Sequence, residues 1–187
     1  ITVLLLLFNQ KFKMPAIHGS VINSLVDKQV NMLDPIISVL SGKDMVFLLE
    51  PLNNIAKNTA TIDAKITGGN LSIICHMIGS SLTIDTNDKI IFLEDVNEKG
   101  YHVHRYLLQM KNAGLFSRAK ALIIGDFSAS DDMLKPSIQN FCREYLTIPV
   151  FKTQGIGHLT DNYPIIIGAN AQVRNNYLTI TSFLGLI

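Results

Sequence analysis

The chain has 187 residues, of which 48% are hydrophobic and 17% charged, with a net charge of +1. That length and composition support one domain, or one domain with part of another, and exclude intrinsic disorder. The near-neutral balance, without a block of like charges, gives no reason to expect nucleic acid or an anionic membrane as a partner.

The chain opens on Ile1-Thr2-Val3-Leu4-Leu5-Leu6-Leu7-Phe8. An apolar run of about eight residues is too short to span a bilayer, and no basic region precedes it as in a signal peptide. No later run reaches membrane-span length, so a soluble protein is expected. A start inside an apolar run reads as a chain that has lost its beginning.

Residues 1–13 read as a buried helix stopped by Pro15. Ala16-Ile17-His18-Gly19 is a short extended piece. Residues 20–41 carry apolar side chains at helical spacing, broken near Pro35. Met45 to Leu49 is a short strand, and residues 59–67 alternate as a strand. Gly68-Gly69-Asn70 reads as a turn into an apolar helix over Leu71 to Ile78. Ile90 to Leu93 is a buried strand, and residues 101–113 form an amphipathic helix ended by Gly114. Ala121 to Ile124 is a second buried strand, residues 134–146 a helix and Val150-Phe151 a strand stub. Ile165 to Ile167 and Tyr177 to Thr181 complete the series as a terminal pair, read as a hairpin. Strands alternating with helices predict an α/β fold with a mostly parallel sheet, flanking helices and a terminal β pair.

The chemistry concentrates in two distant segments. Ile90-Ile91-Phe92-Leu93 runs into Glu94 and Asp95, with Glu98 in the same loop. Loops at the carboxyl ends of such strands are where α/β proteins place their sites. Gly155-Ile156-Gly157-His158 sets a histidine among glycines, which permit close backbone approach to a substrate. Histidine is suited to proton exchange near neutral pH. A carboxylate and a histidine are two parts of a nucleophile–base–orienter constellation. Without context, each is equally a solvated strand end or a surface-loop histidine.

The third part is missing. Ser20, Ser80 and Ser128 have glycine nearby, but none has a Gly-x-Ser-x-Gly elbow. The chain therefore reads as the part of a hydrolase that carries base and orienter. His102 and His104 lack further ligands at a metal-binding offset and suit a surface or interface role. His76, inside an apolar helix, reads as packed. Gly68-Gly69-Asn70 before a helix could cradle an anion, or simply make a tight turn. Cys75 and Cys142, far apart and in no metal-type spacing, fit two core thiols in a reducing compartment.

Taken in order, these segments resemble the LD-carboxypeptidases, serine peptidases that include the microcin-immunity peptidases. Ile17-His18-Gly19 resembles the family's His-Gly-Pro segment, with Ser20 in place of the proline. Gly68-Gly69-Asn70-Leu71 with Ile78-Gly79 resembles its Gly-Gly-Asn-Leu…Ile-Gly-Thr stretch. Phe92-Leu93-Glu94-Asp95, then Arg105, Leu108 and Ala113-Gly114, resembles its Leu-Glu-Asp…Arg…Leu…Ala-Gly stretch. Ile124-Gly125-Asp126-Phe127 resembles a Gly-Asp-Phe strand end, and Gly157-His158 with Pro164 and Gly168 a Gly-His…Pro…Gly segment. Each piece alone is weak, and their shared order is specific.

The resemblance implies a two-domain enzyme whose N-terminal domain carries the nucleophilic serine and whose C-terminal domain carries a glutamate and a histidine. By motif these are Glu94 and His158, with Glu98 the weaker claimant and Asp95 a further alternative. Residues 1–43 would be the end of the N-terminal nucleophile domain and the connection, and residues 44–187 the C-terminal domain. The nucleophile would lie before Ile1, so this chain alone would be inactive. The implied reaction is hydrolysis of the L,D amide bond of muropeptide tetrapeptides in cytoplasmic peptidoglycan recycling, with no metal or other cofactor. The implied assembly is a homodimer when full length. The alternatives are a microcin-immunity-type peptidase and a non-catalytic peptide-binding fragment. The Ile17-His18-Gly19 segment reads as structural.

Overall fold

The computed structural model describes residues 1–20, 33–128, 131–158 and 162–182. Helix α1 (Thr2–Phe12) ends at Lys13, whose left-handed backbone (φ 57°) lets its N–H donate to the Phe8 carbonyl. Strand β1 (Ala16–His18) follows Pro15. Of the helical expectation over residues 20–41, residues 21–32 lie outside the described residues, and α2 (Leu33–Leu40) is present. Pro35 sits in the first turn of α2 and does not break it, because the first-turn N–H groups have no intrahelical acceptor.

Strands β2 (Met45–Leu48) and β3 (Glu50–Pro51) precede the short helix α3 (Asn54–Lys57), capped by the Asn53 side chain. The central units are β4 (Thr61–Asn70), α4 (Leu71–Met77), β5 (Lys89–Val96), α5 (Gly100–Asn112), β6 (Ala121–Ser128), α6 (Leu134–Glu144) and β7 (Val150–Lys152). The last strands are β8 (Ile165–Ile167), β9 (Asn170–Arg174) and β10 (Tyr177–Ile180).

The main sheet has the strand order β2-β10-β9-β4-β5-β6-β7-β3. Its centre, β4 to β7, is parallel, and antiparallel pairs complete it on both sides. The apolar runs of β5 and β6 are buried on both faces, as a covered parallel sheet requires. Helix α5 packs against α4 and α6. Its buried side chains are Val103, Leu107 and Met110, with Tyr106 half-buried beside them. No helix among the described residues is long and apolar enough to cross a membrane.

Several boundaries differ from the sequence reading. Gly68-Gly69-Asn70 is not a turn: it continues β4 in register with Phe92, Leu93 and Glu94. Both glycines hold φ near +138°, so a locally glycine-only backbone keeps pairing to the strand's end. Strand β5 likewise runs on through Glu94 and Asp95 to Val96. The terminal pair is β9 with β10, whereas β8 leaves the main sheet and pairs with β1 in a two-stranded ribbon.

A Cβ at Gly68 would lie 1.8 Å from the Phe92 carbonyl oxygen, whereas one at Gly79 (φ 87°) would meet nothing within 4 Å. Gly68→Ala is therefore expected to cost about 3 kcal/mol or more of unfolding free energy. Gly79→Ala pays only the left-handed backbone penalty, about 1 kcal/mol. Urea unfolding of the two variants measures this, and equal losses would contradict the strand assignment at Gly68.

Candidate active site

The site is built at the carboxyl end of β5. Successive side chains on a strand point to opposite faces, so Glu94 and Asp95 cannot serve one partner. Asp95 serves α4: its carboxylate accepts from Asn70 Nδ2 at 2.8 Å, from the Ser72 N–H at 2.8 Å and from the Val96 N–H at 2.9 Å. Burial pushes its pKa up, against the pull of those hydrogen bonds. The Asn70 side chain adds a cap by accepting from the Ile73 N–H. The proposed anion cradle at Gly68-Gly69-Asn70 is thus filled by the protein's own groups, and the Asn70 N–H donates to Thr2 Oγ1.

Glu94 points to the other face, where its side chain has no solvent exposure. Its Oε2 lies 2.6 Å from His158 Nδ1. Since a carboxylate only accepts, Nδ1 carries the proton in this contact and Nε2 is the nitrogen left to exchange one. The His158 side chain is 48% exposed, so the pair joins a buried anion to a ring that reaches solvent.

A bulge delivers His158 there. Between Leu93 and Asp95 the register with β6 shifts, so that Leu93 opposes Ile124 and Asp95 opposes Phe127. Gly125 and Asp126 form the longer side, and bulges re-aim backbone near sites. The Asp126 N–H donates to the Ile156 carbonyl at 2.7 Å, and the Thr153 N–H to the Ile124 carbonyl at 2.9 Å. Gly125 has no room for a Cβ, which would press on the Phe92 ring and the Ile156 carbonyl. Gly157, at φ 150°, also packs on Asp126, whose Cβ and carbonyl oxygen would lie 3.0 Å from an added Cβ. The glycines around His158 thus let its loop cross the end of β6 and reach β5.

The other expected residues make other contacts. Glu98 lines the same cleft as His158, but its Oε2 pairs with His102 Nδ1 at 2.9 Å at the start of α5. His104 sits edge-on against Phe141 and Tyr145. His76 is exposed rather than buried in the core, its ring beside that of Tyr106 and its Nδ1 2.6 Å from the Ser72 carbonyl oxygen. Cys75 and Cys142 are free and buried, their thiol pKa values pushed up to about 12 chiefly by burial. Among the described residues no group of three or more His, Cys, Asp and Glu could hold a metal ion.

Two features enter that the sequence reading did not place at the site. His18, at the end of β1, is buried with Nε2 3.8 Å from Glu94 Oε1. Burial lowers its pKa, opposed by the neighbouring Glu94 charge, so the ring is held neutral. The amino end of α1 is the second: Ile1 and Thr2 line the same cleft as His158, Asn70, Ser72 and Glu98. This cleft measures about 340 Å³. A larger one of about 610 Å³ lies between the ends of β6 and β7 and α6, but neither Glu94 nor His158 lines it. The proton-transfer pair, not the volume, marks the site.

The serines with glycine nearby, set aside in the sequence for lacking an elbow, make other contacts. The Ser20 hydroxyl donates to the Asn162 carbonyl and the Ser80 hydroxyl to the Met77 carbonyl. Ser128 ends β6, opposite Val96. Ser72, inside the cleft, donates its hydroxyl to Asn70 Oδ1 at 2.8 Å.

The known proteins to which this chain is similar include carboxypeptidases and microcin-immunity proteins. A family model described as the LD-carboxypeptidase C-terminal domain matches residues 63–173. A Rickettsia conorii (strain ATCC VR-613 / Malish 7) protein with a provisional carboxypeptidase name is 38% identical over 178 residues, covering 92% of this chain and 56% of its own length. A Bacillus subtilis (strain 168) protein with a provisional murein peptide carboxypeptidase name is 29% identical over 132 residues, covering 67% of this chain and 41% of its own. The chain thus spans about half the length of these relatives. Two solved structures share the fold: muramoyltetrapeptide carboxypeptidase from Oxalobacter formigenes (TM-score 0.82, 23% identity, 97% of this chain and 66% of that one) and the microcin C7 self-immunity protein MccF with aspartyl sulfamoyl adenosine (TM-score 0.76, 18% identity, 97% and 65%). The chain belongs to the LD-carboxypeptidase family and contains its C-terminal domain.

Proposed function

We propose that this chain is the glutamate- and histidine-bearing part of a serine-type LD-carboxypeptidase, with residues 44–187 as its C-terminal domain. Its substrate is a muropeptide tetrapeptide, from which it releases the terminal D-alanine in cytoplasmic peptidoglycan recycling. The observation that carries this reading is the 2.6 Å contact between His158 Nδ1 and the fully buried Glu94 carboxylate. It is the base–orienter half of a hydrolytic triad. The names of the Bacillus subtilis relative and of the Oxalobacter formigenes structure support the substrate class.

The serine is assigned to polypeptide preceding Ile1. Two observations support this: Ser20, Ser72 and Ser80 donate their hydroxyls to Asn162, Asn70 and Met77, and Ile1 and Thr2 at the start of α1 line the cleft beside His158. A helix amino end also offers N–H groups and a positive dipole to a developing oxyanion. In the reaction His158 takes the hydroxyl proton on Nε2 and becomes an imidazolium. Glu94 fixes the tautomer through Nδ1 and stabilises that charge without itself taking the proton. His158 then returns the proton to the departing amine of D-alanine. The intact enzyme is taken to act as a homodimer. The 187-residue chain alone is predicted to release no measurable D-alanine, since losing one triad member costs roughly 10⁴–10⁶ in rate.

The intact protein supplies the decisive comparison. His158→Ala should lower kcat on a tetrapeptide ending in D-alanine by about 10⁴-fold or more, and Glu94→Gln by roughly 10⁴-fold, with substrate affinity nearly unchanged. Glu98→Gln, whose carboxylate pairs with His102, should lose less than about tenfold. Near-normal turnover by His158→Ala would refute the assignment. Tight binding of the peptide by the wild-type protein without cleavage would replace it with a peptide-binding role.

A further inference from the structure

We propose that His18 is a positioning residue for Glu94, holding the carboxylate oxygen that His158 does not reach. This rests on the peptidase reading for its kinetic consequence but not for its geometry. Glu94 is fully buried, and only its Oε2 is bonded to His158. Its Oε1 is buried and makes no hydrogen bond among the described residues. A buried carboxylate oxygen without a donor is costly, and such atoms in native sites call for an explanation. The nitrogen facing Oε1 is His18 Nε2, at 3.8 Å.

His18 is placed there by structure formed at long range. It ends β1, pairs with Ile165 of β8 and packs its ring edge-on against Phe92 at 5.8 Å. Phe92 precedes Glu94 by two residues and so shares its strand face. Gly19, next in the chain, leaves no slack: a Cβ there would lie 3.2 Å from Pro164. The ribbon of β1 and β8 thus brings His18 to one side of Glu94, and the loop before β8 brings His158 to the other. A neutral imidazole facing a carboxylate donates through the proton on Nε2. The 3.8 Å separation exceeds hydrogen-bond length, and closing by less than an ångström suffices, as contacts in unliganded sites commonly tighten on binding. With both oxygens held, Glu94 cannot rotate away when His158 takes up charge.

The test separates donor from ring. In the intact protein His18→Gln keeps an N–H near the position of Nε2 without the ring, and His18→Phe keeps the ring packing on Phe92 without the donor. The proposal predicts that Gln stays within about threefold of wild-type kcat, while Phe loses about tenfold or more with KM little changed. It also predicts a His158 Nδ1 proton resonance, in histidine-labelled protein, that is retained in Gln and broadened by solvent exchange in Phe. Circular dichroism melts confirm that the compared samples are folded. Full kcat and an intact resonance in Phe would overturn the proposal, and so would an equal loss in folded Gln and Phe. If the wild-type protein released no D-alanine, the peptidase reading would fall, and the resonance alone would still decide the role of His18.

Discussion

A single carboxylate with no exposure to water, Glu94 on a central parallel strand, is the constraint on which the rest of the site depends. An ionised group in such a place costs several kcal/mol unless donors surround it. The fold brings donors from distant parts of the chain. The bulge in β6 carries the His158 loop across to Oε2, and the ribbon of β1 and β8 carries His18 toward Oε1. Because His158 keeps about half its side-chain surface exposed, the buried charge is coupled to a ring that can meet a substrate.

The pleat of β5 divides two adjacent carboxylates between structure and chemistry. Asp95 turns to the helical side and ties the start of α4 to the sheet through Asn70 and Ser72. Glu94 turns to the opposite side and meets the histidines. Gly68 and Gly69 keep β4 paired with β5 alongside them, since any side chain at Gly68 would strike the Phe92 carbonyl. The strand that fixes Glu94 is therefore held by neighbours that cannot be altered without moving it.

Much of this was legible from the chain itself. The apolar runs of β5 and β6 mark buried parallel strands by composition, and the glycines around His158 mark a loop that approaches other backbone closely. The choice among Glu94, Asp95 and Glu98 was legible only in part. Motif resemblance favoured Glu94, but treating the two carboxylates as a strand end hid the alternation that separates them. Extending β5 by its register with Gly69 and Asn70 supplies that reason. His18 was legible only as part of a motif read as structural, because its place beside Glu94 comes from pairing with Ile165, far along the chain. Strand β9 was missed because Asn170-Ala171-Gln172-Val173-Arg174 has only one large apolar side chain, and its place is set by β4 and β10 on either side. The expected hairpin between β8 and β10 failed for the same reason.

The central claim is that Glu94 and His158 activate a serine supplied from outside these residues. A fluorophosphonate probe reacts only with a serine whose hydroxyl is activated by a neighbouring base. Labelling of the intact protein, mapped by peptide mass spectrometry, tests the claim most directly. The account predicts one modified serine preceding Ile1, with labelling abolished in His158→Ala. A label on Ser20, Ser72, Ser80 or Ser128, or labelling undiminished by His158→Ala, would contradict it.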